Sequence, residues 1–171
     1  MNVKFMNPFL EAAKEVLQAE TQVTVTRGTL SLEKSDLTGH EVTVILSLVG
    51  EVQGVVLYGL SIQTSLALVS RIMGQAFTSF DDLARSGIAE LGNVITGQAS
   101  IRLAEAGFAS NITPPTLVQG KGAKISTLQF PRIVVPLMTE VGVLTVHIAL
   151  RQTPANASSD VFVPLLPNAG L

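Results

Sequence analysis

Residues 81–107 read DDLARSGIAELGNVITGQASIRLAEAG. This stretch predicts one long helix, Asp82 to Gly107. The acidic pair Asp81–Asp82 stands where unpaired N–H groups give a helix start partial positive charge. Gly107 stands where helices commonly stop, because glycine enters the left-handed conformation at no steric cost. Ile88, Leu91, Ile95 and Ala99 recur at helical spacing and share a face that must find a core. Ser86, Glu90, Asn93 and Gly97 recur in the same way and share another face. That second face sets a carboxylate and a carboxamide one turn apart among small residues. Gly87, Gly92 and Gly97 each weaken a helix interior by about 1 kcal/mol relative to Ala. A helix built only for packing has little reason to carry them. Their presence beside a polar pair implies that something large approaches this helix.

Upstream, Ser61 is placed to cap a shorter helix carrying Leu66, Val69, Ile72 and Met73 and ending at Gly74. Before it, Val42–Leu48 and Val52–Tyr58 are rich in β-branched residues and are separated by Gly50 and Glu51. They predict a hairpin with a tight turn, and Gly54 predicts a bulge in its second strand. Val23 and Val25 alternate with Thr24 and Thr26 as in a strand. His40 falls in a loop and predicts a surface residue. Asn7 and Pro8 suit a helix start. Phe9, Ala12, Ala13, Val16 and Leu17 make an apolar stripe on an amphipathic helix, about residues 8 to 19.

Downstream, Pro114–Pro115 predict a rigid loop, since proline lacks the N–H that a helix or an inner strand needs. Gly120–Lys124 lacks the Gly–Lys–Ser/Thr order of a phosphate loop and predicts a flexible turn. Ile125–Phe130, Ile133–Met138 and Val143–Leu150 predict three strands, with a turn at Glu140–Gly142 and a structural His147 in the last strand. The order is helix, three strands, two helices, three strands. No strand alternates with a helix of its own, so an antiparallel sheet with helices on one face is expected. The two half-patterns hint at an internal repeat. Residues 1–153 form the expected domain. The tail 154–171 is small and polar except around Phe162 and Leu165–Leu166, so it is either loosely held or docked.

The chain has 171 residues, 11 Lys and Arg against 13 Asp and Glu, and no cysteine. Nucleic-acid binding would need a basic patch, and none is visible. Disulfide and thiolate chemistry are excluded. Apolar runs are broken well short of the roughly 20 residues of a membrane helix. The expectation is a soluble cytoplasmic protein. No nucleophile elbow, paired metal ligands or dinucleotide fingerprint is present. What remains is Glu90 with Asn93. A carboxylate and an amide are too poor a set for an ordinary phosphate ester, whose uncatalysed hydrolysis is among the slowest known.

Ser86, Glu90 and Asn93, set within Leu91-Gly92-Asn93-Val94-Ile95-Thr96-Gly97, are followed by Pro114–Pro115. The 21 residues 94 to 114 separate Asn93 from Pro115. This pattern resembles the signature of the CheC/CheX family of chemotaxis phosphatases. It resembles the CheX branch more, because Glu11 and Glu15 on the first helix have no Asn three residues on. The resemblance implies an α/β (α+β) sandwich with one six-stranded antiparallel sheet, a homodimer, and removal of the phosphoryl group from a phosphorylated CheY-like response regulator. It implies that Asn93 orients the attacking water and that Glu90 pairs with a regulator lysine. Ser86, Gly97 and Pro115 would belong to the partner-binding footprint, with Gly92 and Gly97 letting the backbones approach. No cofactor of its own is implied, with Mg²⁺ expected on the regulator. Two alternatives stay open: a solvated helix face, and a non-catalytic module, either binding a response regulator without hydrolysis or serving as a flagellar-switch-like interaction module.

Overall fold

The computed structural model describes residues 3–34, 37–125 and 131–154. The expected tail lies outside them from residue 155, as does most of the predicted strand Ile125–Phe130. A short 3-10 turn leads into α1, Met6–Thr21. Asn7 falls inside the first turn of α1, which has no side-chain cap. Then follow β1 (Thr26–Arg27), β2 (Ser31–Glu33), β3 (Leu37–Thr38), β4 (Val42–Gly50) and β5 (Val52–Leu60). Helices α2 (Ile62–Met73) and α3 (Asp82–Glu105) come next. The chain continues through β6 (Ser110–Ile112), β7 (Thr116–Gln119), β8 (Lys124–Ile125), β9 (Arg132–Thr139) and β10 (Gly142–Gln152). Among the described residues no helix is long and apolar enough to cross a membrane.

The sheet order is β1-β9-β10-β5-β4-β6, with β2 extending the β1 edge along β9 and β7 extending the β6 edge along β4. Each edge is thus one ribbon in two pieces, and the sheet has the six antiparallel ribbons expected. The two halves of the chain correspond in this order: β1/β2 with β6/β7, β4 with β9, β5 with β10. The central pair is β5 with β10, and β3 pairs β8 apart from the main sheet. The internal repeat is therefore legible in the topology.

The predicted loop at Pro114–Pro115 is the break between the two pieces of an edge ribbon. β6 pairs Leu48–Gly50 and β7 pairs Val42–Ile45, leaving the middle of β4 to the break. Thr113 fills it: its N–H donates to Ser47 O, and its Oγ1 accepts from Ser47 N, both at 3.0 Å. Proline at an edge leaves no inner ladder bond unmade.

Gly54 makes no bulge. It pairs in unbroken register with Leu48 on one side and Leu150 on the other. Its φ is +139°, and a Cβ there would stand 2.0 Å from Ala149 O. The glycine serves a close backbone approach at the centre of the sheet.

One face of the sheet presents Val44, Leu46, Val56, Tyr58, Val146, Ile148 and Val135 to α1 and α3. Phe9, Ala13 and Val16 of α1 and Ile88, Leu91, Ile95 and Ala99 of α3 complete this core. The opposite face carries Leu57, Val134 and His147, all buried. His40 corrects the surface expectation. It lies over Gly59, where a Cβ would meet the ring at 2.1 Å, and its Nε2 is 3.2 Å from His147 Nε2. Periodicity cannot bring together two residues 107 positions apart.

Burial, reinforced by the charges of His40 and Arg132, pushes the His147 pKa down to about 3 from 6.5. Burial lowers His40 as well, against Glu33, which raises it. The unfolded chain therefore binds more protons than the folded one between those values. Stability is complete above pH 6.5 and falls as the pH drops toward about 3. Thermal melts should show Tm decreasing steadily below about pH 6.5. The slope should flatten in His147→Gln; an equally steep slope there would place the titrating protons elsewhere.

Candidate active site on the third helix

Asp81 starts α3 by accepting from Ala84 N at 2.9 Å. The helix ends at Glu105, two residues short of the expected Gly107, and Gly107 takes φ +88° just beyond it. Ile88, Leu91, Ile95 and Ala99 are buried as their spacing requires. Beneath them a polar network fixes the helix on the sheet. Thr96 Oγ1 donates to Gly92 O at 2.8 Å, so Tyr58 Oη, also 2.8 Å away, donates to Thr96. Burial of the Tyr58 hydroxyl raises its pKa, keeping it a neutral donor.

On the outer face Ser86 and Glu90 are exposed, while Asn93 and Gly97 are half-buried. Asn93 Nδ2 stands 3.4 Å from Glu90 Oε2, a long contact that leaves most of the bonding capacity of both groups free. The structure thus brings Ser86, Glu90, Asn93 and Gly97 onto one accessible stripe. Pro115 is on another element, the β6–β7 ribbon. α3 runs antiparallel to the β6–β7 ribbon, with Arg85 bonded to Gln119 at one end and Ser100 to Ser110 O at the other. Pro114–Pro115 falls between these two ties, in the break between β6 and β7.

The three glycines separate by role. A Cβ on Gly87 would meet Val69 Cγ2 of α2 at 2.6 Å. One on Gly92 would meet Val44 Cγ1 at 2.9 Å and Tyr58 Cδ2 at 3.2 Å. Gly92 therefore admits the sheet, and the expectation that it faces a partner is corrected. Only Gly97 opens outward, with Ile112 Cδ1 4.0 Å away as its nearest neighbour. Gly92→Ala should destabilise the chain by about 1–3 kcal/mol, overpacking outweighing the helix-propensity gain. Gly97→Ala should stabilise it by up to about 1 kcal/mol. Urea denaturation of both variants measures the contrast; equal midpoints would contradict it.

On α1, Glu11 and Glu15 are engaged with Arg102 of α3 at 2.8 and 2.5 Å. They tie the two helices together and make no second Glu–Asn pair. Among the described residues no group of three or more His, Cys, Asp or Glu is placed to hold a metal ion.

A symmetric antiparallel sheet covered by helices, with a Glu–Asn pair on the accessible face of the longest, defines the class of domain. The profile of the family described as chemotaxis phosphatase CheX matches residues 42–138. The CheY-P phosphatase CheX of Thermotoga maritima is 29% identical over 128 residues, covering 74% of this chain and 83% of that protein. A CheC-like superfamily protein from Shewanella sp. PV-4 superposes with TM-score 0.81 at 25% identity, over 88% of this chain and 99% of that one. CheX in the CheX–CheY–BeF3–Mg²⁺ complex from Borrelia burgdorferi does so with TM-score 0.75 at 29% identity, over 88% and 100%. This chain belongs to the CheX family and is a phosphatase.

Proposed function

We propose that the chain hydrolyses the phospho-aspartate of a CheY-like response regulator, with α3 laid across the regulator's active site. The observation that carries this reading is the accessible Glu90–Asn93 pair, one turn apart on α3 inside the matched family segment. The names of the Thermotoga and Borrelia relatives support the substrate class. An acyl phosphate is labile, and the regulator brings its own Mg²⁺ and lysine to the phosphoryl group. The visiting helix need only place a water in line and exclude others, which lowers a barrier by several kcal/mol. Asn93 supplies the neutral donor and acceptor for that water. Glu90 holds the complex by facing the regulator's lysine.

Phosphate release from CheY-like receiver domains charged with acetyl phosphate tests the proposal. Addition of the chain should accelerate release at substoichiometric amounts. Glu90→Ala should raise the regulator concentration needed for half-maximal rate. Stable binding with no added release would leave an interaction module instead. A homodimer is part of the same reading, supported by the family resemblance. The edge ribbons add little to it, because both are short and broken, which discourages strand pairing between copies.

A further inference from the structure

Beside Glu90 lies an apolar groove of about 370 Å³, formed where the C-terminal ends of α1 and α2 meet the middle of α3. Val16 and Leu91, both buried, line its base, and Val94 forms one wall. Met73, 37% exposed, stands at the mouth. Gly87 makes room for it: a Cβ there would meet Met73 Cε at 3.2 Å. Two exposed carboxylates, Glu20 and Glu90, share the rim.

We infer that this groove is the specificity pocket for the regulator, taking an apolar side chain that the regulator presents next to a cationic residue. The inference rests on the function proposed above. Its ground is continuity: Glu90 belongs both to the Glu–Asn face and to the rim, so a protein that sets a cation against Glu90 covers the groove. Two carboxylates around an apolar recess select a partner with an apolar anchor beside positive charge, and they repel an acidic surface. An unbranched thioether at the mouth adapts to anchors of different shape. The groove has no part in placing the water, so its contribution is to affinity and to the choice among regulators.

The test is phosphate release measured against the concentration of acetyl-phosphate-charged CheY-like receiver domains. Met73→Glu should raise the half-saturating concentration about tenfold or more, and Glu20→Lys about threefold, by charge reversal at the rim. The change should lie in half-saturation rather than in the rate at saturation. Val49→Glu, the same change at an exposed apolar position on β4 away from the groove, is the control and should behave as wild type. Far-UV circular dichroism melts establish that each variant folds. Phosphate release by wild type with Met73→Glu half-saturating within about twofold of it overturns the groove and leaves the proposed function standing. If wild type binds beryllofluoride-charged receiver without releasing phosphate, the same criterion is applied to the binding titration. If wild type neither releases nor binds, the proposed function fails and this inference with it. If Met73→Glu instead changes the mass of the chain in light scattering and leaves half-saturation alone, a second copy occupies the groove and the inference is overturned.

Discussion

Replacing Asn93 with Ala is expected to remove most phosphate release, by about 100-fold at saturating regulator, while the chain stays folded. The position is half-buried on α3, and its amide makes only the long contact to Glu90, so truncation costs the helix little. The loss is expected because, in the mechanism proposed, the attacking water beside the phosphoryl group has two needs. It must be aligned with the breaking bond, and its protons must face an acceptor. A carboxamide meets both without charge. Asn93→Asp is expected to be as poor or worse, despite its nearly identical shape. It removes the donor and brings a negative charge toward a centre ringed by negative oxygens. Phosphoryl transfer through a loose transition state has little need of early proton removal, so the carboxylate gains nothing as a base. Both variants should still bind phosphorylated regulator through Glu90, Asn93→Ala more tightly than Asn93→Asp. An Asp variant as active as wild type would mean base catalysis. An Ala variant as active as wild type would mean that the chemistry lies elsewhere.

The largest effect on the fold is expected at Gly54. Gly54→Ala should destabilise the chain by more than about 4 kcal/mol, or prevent recovery of folded protein. The backbone there has φ +139°, a region L-residues avoid. The added Cβ would also stand 2.0 Å from Ala149 O and 3.1 Å from Leu150 Cα, both main-chain atoms of the neighbouring strand. No side-chain rotation relieves that clash. The remedy is to part β5 from β10, the central pair of the sheet, and marginal stabilities of roughly 5–15 kcal/mol cannot absorb such a loss easily. Urea denaturation followed by circular dichroism measures it. A midpoint close to wild type would show that the central strands separate at small cost.

Several elements were legible because their signals are local. Ser61 caps α2 in the structure, its Oγ accepting from Thr64 N at 3.0 Å, and a capping hydroxyl acts within one turn. The β4–β5 hairpin is legible because both strands carry dense β-branched side chains around a tight turn at Glu51. Glu90 and Asn93 could be set on one face from spacing alone, since α-helix geometry is nearly invariant. The split edge ribbons escaped reading. Two to four residues carry too little pattern, and their pairing is decided by the strand they meet. Met73 and Val16 could not be related in advance, because the groove exists only where the ends of two helices meet the middle of a third.

By itself the sequence determined the three helices, the long inner strands, the antiparallel class and the Glu90–Asn93 stripe, since each depends on spacing within one segment. Tertiary structure alone decided which way the glycines face. Gly92 and Gly97 are five residues apart on one helix and look alike in sequence, yet Gly92 meets Val44 and Tyr58 while Gly97 opens outward. It alone joined His40 to His147, and it alone tied α3 to the β6–β7 ribbon. The physical reason is common to all three. A residue's type and spacing govern the few neighbours within its own turn or strand, whereas contacts between distant segments arise only when the sheet and helices close on one core.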